Sequence, residues 1–110
     1  MYSEYADSLF HSLGESFNVQ RMSVSKGGWK PLQNECHQNC TDLAELDNNF
    51  KPVRGWLCFN FEVLGFYRFT SHSVVEDSQG NFIDITPTPI EIIYPFIKSN
   101  MSEVDYQKLI

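Results

Sequence analysis

The stretch NECHQNC, residues 34–40, holds two of the chain's three cysteines, one of its three histidines, and three side-chain amides. Thirty-odd residues later TSHSVV carries His72, and FIDIT places Asp84 between two isoleucines. A thiol, an imidazole and a carboxylate are the parts of a nucleophile–base–orienter system, provided the fold brings them together.

The elements that must position them can be read from periodicity. Residues 36–46 carry a helical pattern, with Asn34 or Glu35 placed to cap the start and Asp47-Asn48-Asn49 placed to close it. Cys36, Cys40 and Leu43 fall on one face of that helix. Cys40, a full turn inside, reads as a small core residue. Cys36 differs because it opens the helix, where unpaired backbone N–H groups and the positive end of the dipole favour thiolate over thiol. His37 points elsewhere, about 100° round the helix, and like His11 is expected to have no role.

Downstream the chain turns rich in aromatic and β-branched residues. Three strands are expected at about 53–61, 66–76 and 81–86, with turns at Gly65 and at DSQG. A three-residue loop, Asp77-Ser78-Gln79, pairs Glu76 with Gly80 and sets His72 directly opposite Asp84. Opposed side chains share a face, with Cβ atoms about 5 Å apart. A two-residue loop would set Ile85 there instead. The same face carries Val74 and Phe82, expected to pack on Cys40 and Leu43. Asp84 in an apolar strand needs a partner, and His72 is the obvious one.

Further elements complete an α+β domain, with N-terminal helices on an antiparallel β-meander. A helix is expected over residues 2–15, a short strand over 17–24, and a loop over 25–35. Residues 90–97 read as an edge strand or extended segment. A short C-terminal helix begins with a capping-box-like Ser102. The length, 110 residues, suits a single domain spanning 1–110.

Composition narrows the function classes. Apolar residues make up 42% and aromatics 15%, enough for a core. The formal net charge is −6 and the eight basic residues are scattered, which argues against nucleic acid and against an anionic membrane surface as partners. The first residues lack the basic and apolar regions of a signal peptide, and no run is long enough to cross a bilayer. A cytoplasmic protein with free thiols is therefore expected. Competing readings remain for the site. Cys36 and Cys40 could be buried core cysteines. Cys36, His37, Cys40 and His72 include two thiols and two imidazoles, but their spacing does not make a zinc knuckle, so no metal is expected.

The order of these residues resembles the papain-like superfamily of cysteine hydrolases, especially its compact NlpC-like and transglutaminase-like members. There a nucleophilic Cys opens a helix packed on an antiparallel sheet, and His then Asp or Asn follow on successive strands. The chain is also similar to small bacterial and phage proteins with an ECHxN…GW…HSVV…G…IDITP pattern. Here those pieces are Glu35-Cys36-His37 with Asn39, Gly55-Trp56, residues 72–75, Gly80 and residues 83–87. They cover about half the chain. The resemblance implies a papain-like minimal core with Cys36 as nucleophile, His72 as base and Asp84 as orienting residue. Such enzymes often carry a Gln before the nucleophile as an oxyanion donor. Gln33 and Asn34 are the nearest amides, at a looser spacing. Trp29, on the Gly-rich loop, is either core or a wall of the substrate cleft. The implied activity is hydrolysis or acyl transfer at an amide bond of a protein or peptide, with no cofactor. The rival is a non-enzymatic interaction module, such as a phage-borne inhibitor, whose acidic charge and aromatics suit a basic protein surface.

Overall fold

The computed structural model describes residues 16–61, 66–88 and 95–109. In chain order the elements are β1 (Gln20–Arg21), α1 (Cys36–Leu46), β2 (Lys51–Phe61), β3 (Phe66–Glu76), β4 (Phe82–Asp84), β5 (Phe96–Lys98) and α2 (Glu103–Gln107). The expected helix over residues 2–15 lies outside the described residues. The rest is a small mixed α/β domain: one five-stranded sheet, ordered β1-β4-β3-β2-β5, with the two described helices. β2, β3 and β4 form the expected antiparallel meander, and β5 adds to β2 antiparallel. β1 pairs with β4 in parallel, so the sheet is mixed rather than purely antiparallel. That orientation is open to β1 because the whole α1–β2–β3 stretch separates it from β4 and serves as the crossover.

Strand alternation divides the sheet into two faces. One carries Arg54, Ser73, Val75 and Ile83. α1 packs there, with Cys40 and Leu43 fully buried among Val75, Ile83 and Ile85. α2 packs on the same face through Tyr106, which joins Trp56 and Ile97. The other face carries Val53, Val74 and Phe82, covered by Phe17, Val19 and Phe96. The expected packing of Val74 and Phe82 on Cys40 and Leu43 is therefore corrected. With a period of two, residues 72 and 74 must face away from residues 73 and 75, and it is the latter pair that meets the helix.

The hairpin register is also corrected. Val75 pairs with Ile83 and Glu76 with Phe82, so the loop runs from Asp77 to Asn81, two residues longer than expected. The Asp77 carboxylate organises it, accepting from Gln79 N and Asn81 N at 2.9 Å each, while Gly80 adopts φ +84°. An even lengthening keeps His72 and Asp84 on one face but sets them on a diagonal rather than directly opposite.

The remaining elements follow their sequence signals. Ser102 Oγ accepts from Asp105 N at the start of α2. Gly27, at φ +59°, turns the loop so that Lys26 and Trp29 bridge. No helix among the described residues is long and apolar enough to cross a membrane.

Candidate active site

α1 begins at Cys36. Glu35 occupies the N-cap position without a side-chain capping bond, so no side chain there competes for the first backbone N–H groups. The capping expected of Asn34 or Glu35 is thus not made. Asn34 instead takes φ 67°, a left-handed turn into the helix. The turn is fastened from below by Asn39, which is buried. Its Oδ1 accepts Leu32 N at 2.9 Å, and its Nδ2 donates to Leu32 O at 2.8 Å and to Thr86 Oγ1 at 3.0 Å. One side chain therefore ties the loop before Cys36 to the chain just after β4.

His72 lies on β3 and Asp84 ends β4; both are buried. Nε2 of His72 and Oδ2 of Asp84 are 2.8 Å apart. Asp84 Oδ1 accepts Thr86 N at 3.2 Å, and Arg21 Nη2 stands 3.6 Å from Oδ2 while its Nη1 donates to Thr86 O at 2.9 Å. The carboxylate is thus aimed by a local turn and by a cation across the parallel β1–β4 pair. Behind the imidazole, the ring of Phe96 makes an edge contact with centroids 6.5 Å apart. Tyr106 OH donates to the Gly55 carbonyl at 2.5 Å and lies 3.3 Å from that of His72, clamping the β2–β3 pair where Gly55 faces His72.

His72 faces away from α1, yet it shares a cleft with Cys36. The β3–β4 pairing ends at Val75 and Ile83, short of His72, and beyond it the Asp84 carboxylate accepts Thr86 N. Cys36, His72, Asn34, Arg21, Leu57 and Thr86 line one cleft of about 460 Å³ there.

The electrostatics follow from these contacts. Burial pushes the Cys36 thiol up, but hydrogen bonds to His37 and His72, with imidazole charge, outweigh it and bring the pKa down to about 6. Burial pushes His72 down, but the hydrogen bond to Asp84, then that to Cys36, raise it to about 9. Both shifts run in the direction that favours a thiolate–imidazolium pair. Cys40, one turn deeper, is shifted the other way by burial and by the Cys36 charge, and stays a thiol.

The structure brings Cys36, His72 and Asp84 together. Of the other candidates, Asn34 lines the same cleft, whereas Gln33 is exposed and does not. Trp29 packs against the Cys40–Leu43 cluster and lines a separate depression with Glu35 and Asn39. His37, expected to be idle, hydrogen-bonds Ser73 through Nδ1 at 2.6 Å. Sequence reasoning passed over His37, Ser73, Arg54 and Arg21. Arg54 between Val53 and Gly55 carried the signal that singled out Asp84, a charge in an apolar strand needing a partner. Comparison of the chain with protein-family models, curated proteins and solved structures finds no match.

Proposed function

We propose that the protein is a small cysteine hydrolase or acyl-transferase of papain-like type acting on an amide bond. The observation that carries this reading is one imidazole, His72, bonded at Nε2 to Asp84 and lining the same cleft as Cys36 at the head of α1. Nε2 is committed to the carboxylate, which leaves Nδ1 to exchange a proton with the sulfur. The Cys36 thiolate attacks the carbonyl carbon. His72 then delivers its proton to the leaving nitrogen, the C–N bond breaks, and a thioester remains on Cys36. Water or an amine, deprotonated by His72, releases the acyl group. The Cys36 N–H and the Asn34 side chain are the proposed oxyanion donors. The helix head against the sheet, with His and Asp on successive strands, is the papain-like order. A protein or peptide in the cytoplasm is the proposed substrate, and the chemistry needs no cofactor.

The test is alkylation by iodoacetamide across pH, mapped by mass spectrometry. Cys36 should react with a midpoint near pH 6 while Cys40 and Cys58 stay inert. A peptide panel should then show the mass change of hydrolysis, deamidation or amine exchange, lost in Cys36→Ala. If Cys36 titrates like an ordinary thiol, or turnover survives Cys36→Ala, the reading fails and an interaction module is what remains.

A further inference from the structure

Asp84 faces two cations, and the proposed reaction uses only one of them. Its Oδ2 lies 2.8 Å from His72 Nε2 and 3.6 Å from Arg21 Nη2. Arg21 comes from β1, where it is the register partner of Asp84 in the parallel pair, so the two side chains leave the sheet on the same face. The backbone joins in this hold. Met22 N donates to the Asp84 carbonyl at 3.2 Å, and Arg21 Nη1 donates to the Thr86 carbonyl at 2.9 Å. Residues 21 and 22 thereby grip both ends of the turn in which Thr86 N meets Asp84 Oδ1.

The two cations differ in kind. In the proposed reaction His72 is charged in one half of the cycle and neutral in the other. A guanidinium does not lose its proton in a protein. The Asp84 side chain is 7% exposed and that of Arg21 29%, so the carboxylate is enclosed while the guanidinium keeps contact with water. A buried carboxylate left without a cation is costly, and Arg21 is the partner that Asp84 retains when the imidazole has passed its proton on. The same fixed charge, paired with the oxygen that His72 shares, opposes a second positive charge on the ring.

We propose that Arg21 is a positioning residue acting through Asp84: a permanent counter-charge that holds the carboxylate in place when His72 is neutral and limits how tightly His72 keeps its proton when charged. This rests on the proposed cysteine chemistry and deepens it. A base bound to an unshared carboxylate takes a proton readily and surrenders it slowly. Sharing Oδ2 with a guanidinium weakens that grip and favours delivery to the leaving nitrogen. Among the described residues, the charged and titratable groups facing this cluster are Asp84 on β4, His72 on β3, Cys36 at the head of α1, and Lys30, which lines the neighbouring depression that Arg21 also borders.

The experiment titrates the His72 ring by NMR in folded variants of the full chain. Arg21→Gln removes the charge and keeps an amide donor for the Thr86 carbonyl; the His72 midpoint should rise by about one unit. The sign is the discriminating feature, because a role confined to holding the turn would free Asp84 and lower the midpoint. Arg21→Lys keeps the charge and should leave the midpoint close to that of the wild type. Arg21→Met, which keeps the apolar stem, repeats the charge removal should Arg21→Gln not fold. A midpoint that stays or falls in the charge-removing variants, or that rises equally in Arg21→Lys, overturns the role of Arg21. The iodoacetamide profile of the wild-type protein separates this from the parent reading. An ordinary Cys36 midpoint there removes the cysteine chemistry, whereas a low one beside an unmoved His72 overturns Arg21 alone.

Discussion

His72 and Asp84 meet on a diagonal of the sheet: their residues are not directly opposed, yet Nε2 and Oδ2 are 2.8 Å apart. A diagonal of a β-ladder leaves about 7–8 Å between the positions. The length of an imidazole and a bent-back carboxylate closes that gap. Parity of the loop length keeps the two side chains on one face, and a change of two residues keeps them within one diagonal.

The carboxylate charge is the part of this contact that a substitution can isolate. Asp84→Asn keeps the shape and the acceptor for Thr86 N, but removes the anion that holds His72 protonated. The His72 pKa should fall from about 9 toward the ordinary histidine value, read by NMR titration of the ring carbons. On the proposed cysteine chemistry, turnover should drop by roughly 10²–10⁴-fold, since the wrong tautomer is then tolerated. An unmoved His72 titration would show that Asp84 does not orient it.

Linkage gives a second expectation. Cys36, depressed to about 6, contributes stability present above the unfolded thiol pKa and lost as pH falls through 6. His72, raised to about 9, contributes stability present below about 6.5 and lost as pH rises through 9. Between about pH 6.5 and 8.5 the two slopes oppose, because folding moves one proton from sulfur to imidazole and binds none. The pair should leave urea-derived stability flat across that window. In Cys36→Ser only the His72 slope survives, and stability should decline as pH rises from 6.5. A flat profile in the variant would contradict the coupling.

Asn39→Ala should remove three hydrogen bonds at once and leave the Leu32 N–H without its partner, the Leu32 carbonyl keeping Glu35 N. A loss of about 1–3 kcal/mol in urea unfolding is expected. Cys36 alkylation at neutral pH should slow as well, because the same side chain fastens the turn at Asn34. Full reactivity in the folded variant would separate the loop from the site.

Gly55 stands where β5 crosses close to β2. A Cβ there would overlap the Ile97 carbonyl and the Phe96 ring, the ring that also backs His72. Gly55→Ala should cost about 1–3 kcal/mol by overpacking and disturb the His72 ring resonances. A neutral effect on stability would mean that β5 shifts freely.

Much of the site was legible because it rests on local rules. The helix start at Cys36, the burial of Cys40 and Leu43, and the strands of the meander each follow from period, turn residues and composition within a short window. Asp84 was legible because a charge in an apolar strand demands a partner. Trp29 was ambiguous for the opposite reason: an aromatic beside a Gly-rich loop packs equally well on core or cleft, and here it packs on Leu43's cluster.

What the residue order determined by itself was the cast and its facing: a thiol opening a helix, and His72 and Asp84 on one side of a hairpin, since a side-chain period of two survives any even change in the loop. What only the tertiary structure decided was which helix meets which face, and that a sulfur on α1 and an imidazole on β3 line one cleft. The frame around them rests on the β3–β4 register, on the parallel addition of β1, and on Arg54 meeting Ser73 across β2 and β3. These are pairings between residues far apart in the chain, and no local preference encodes them; they form because together they bury the apolar faces and leave each buried charge a partner.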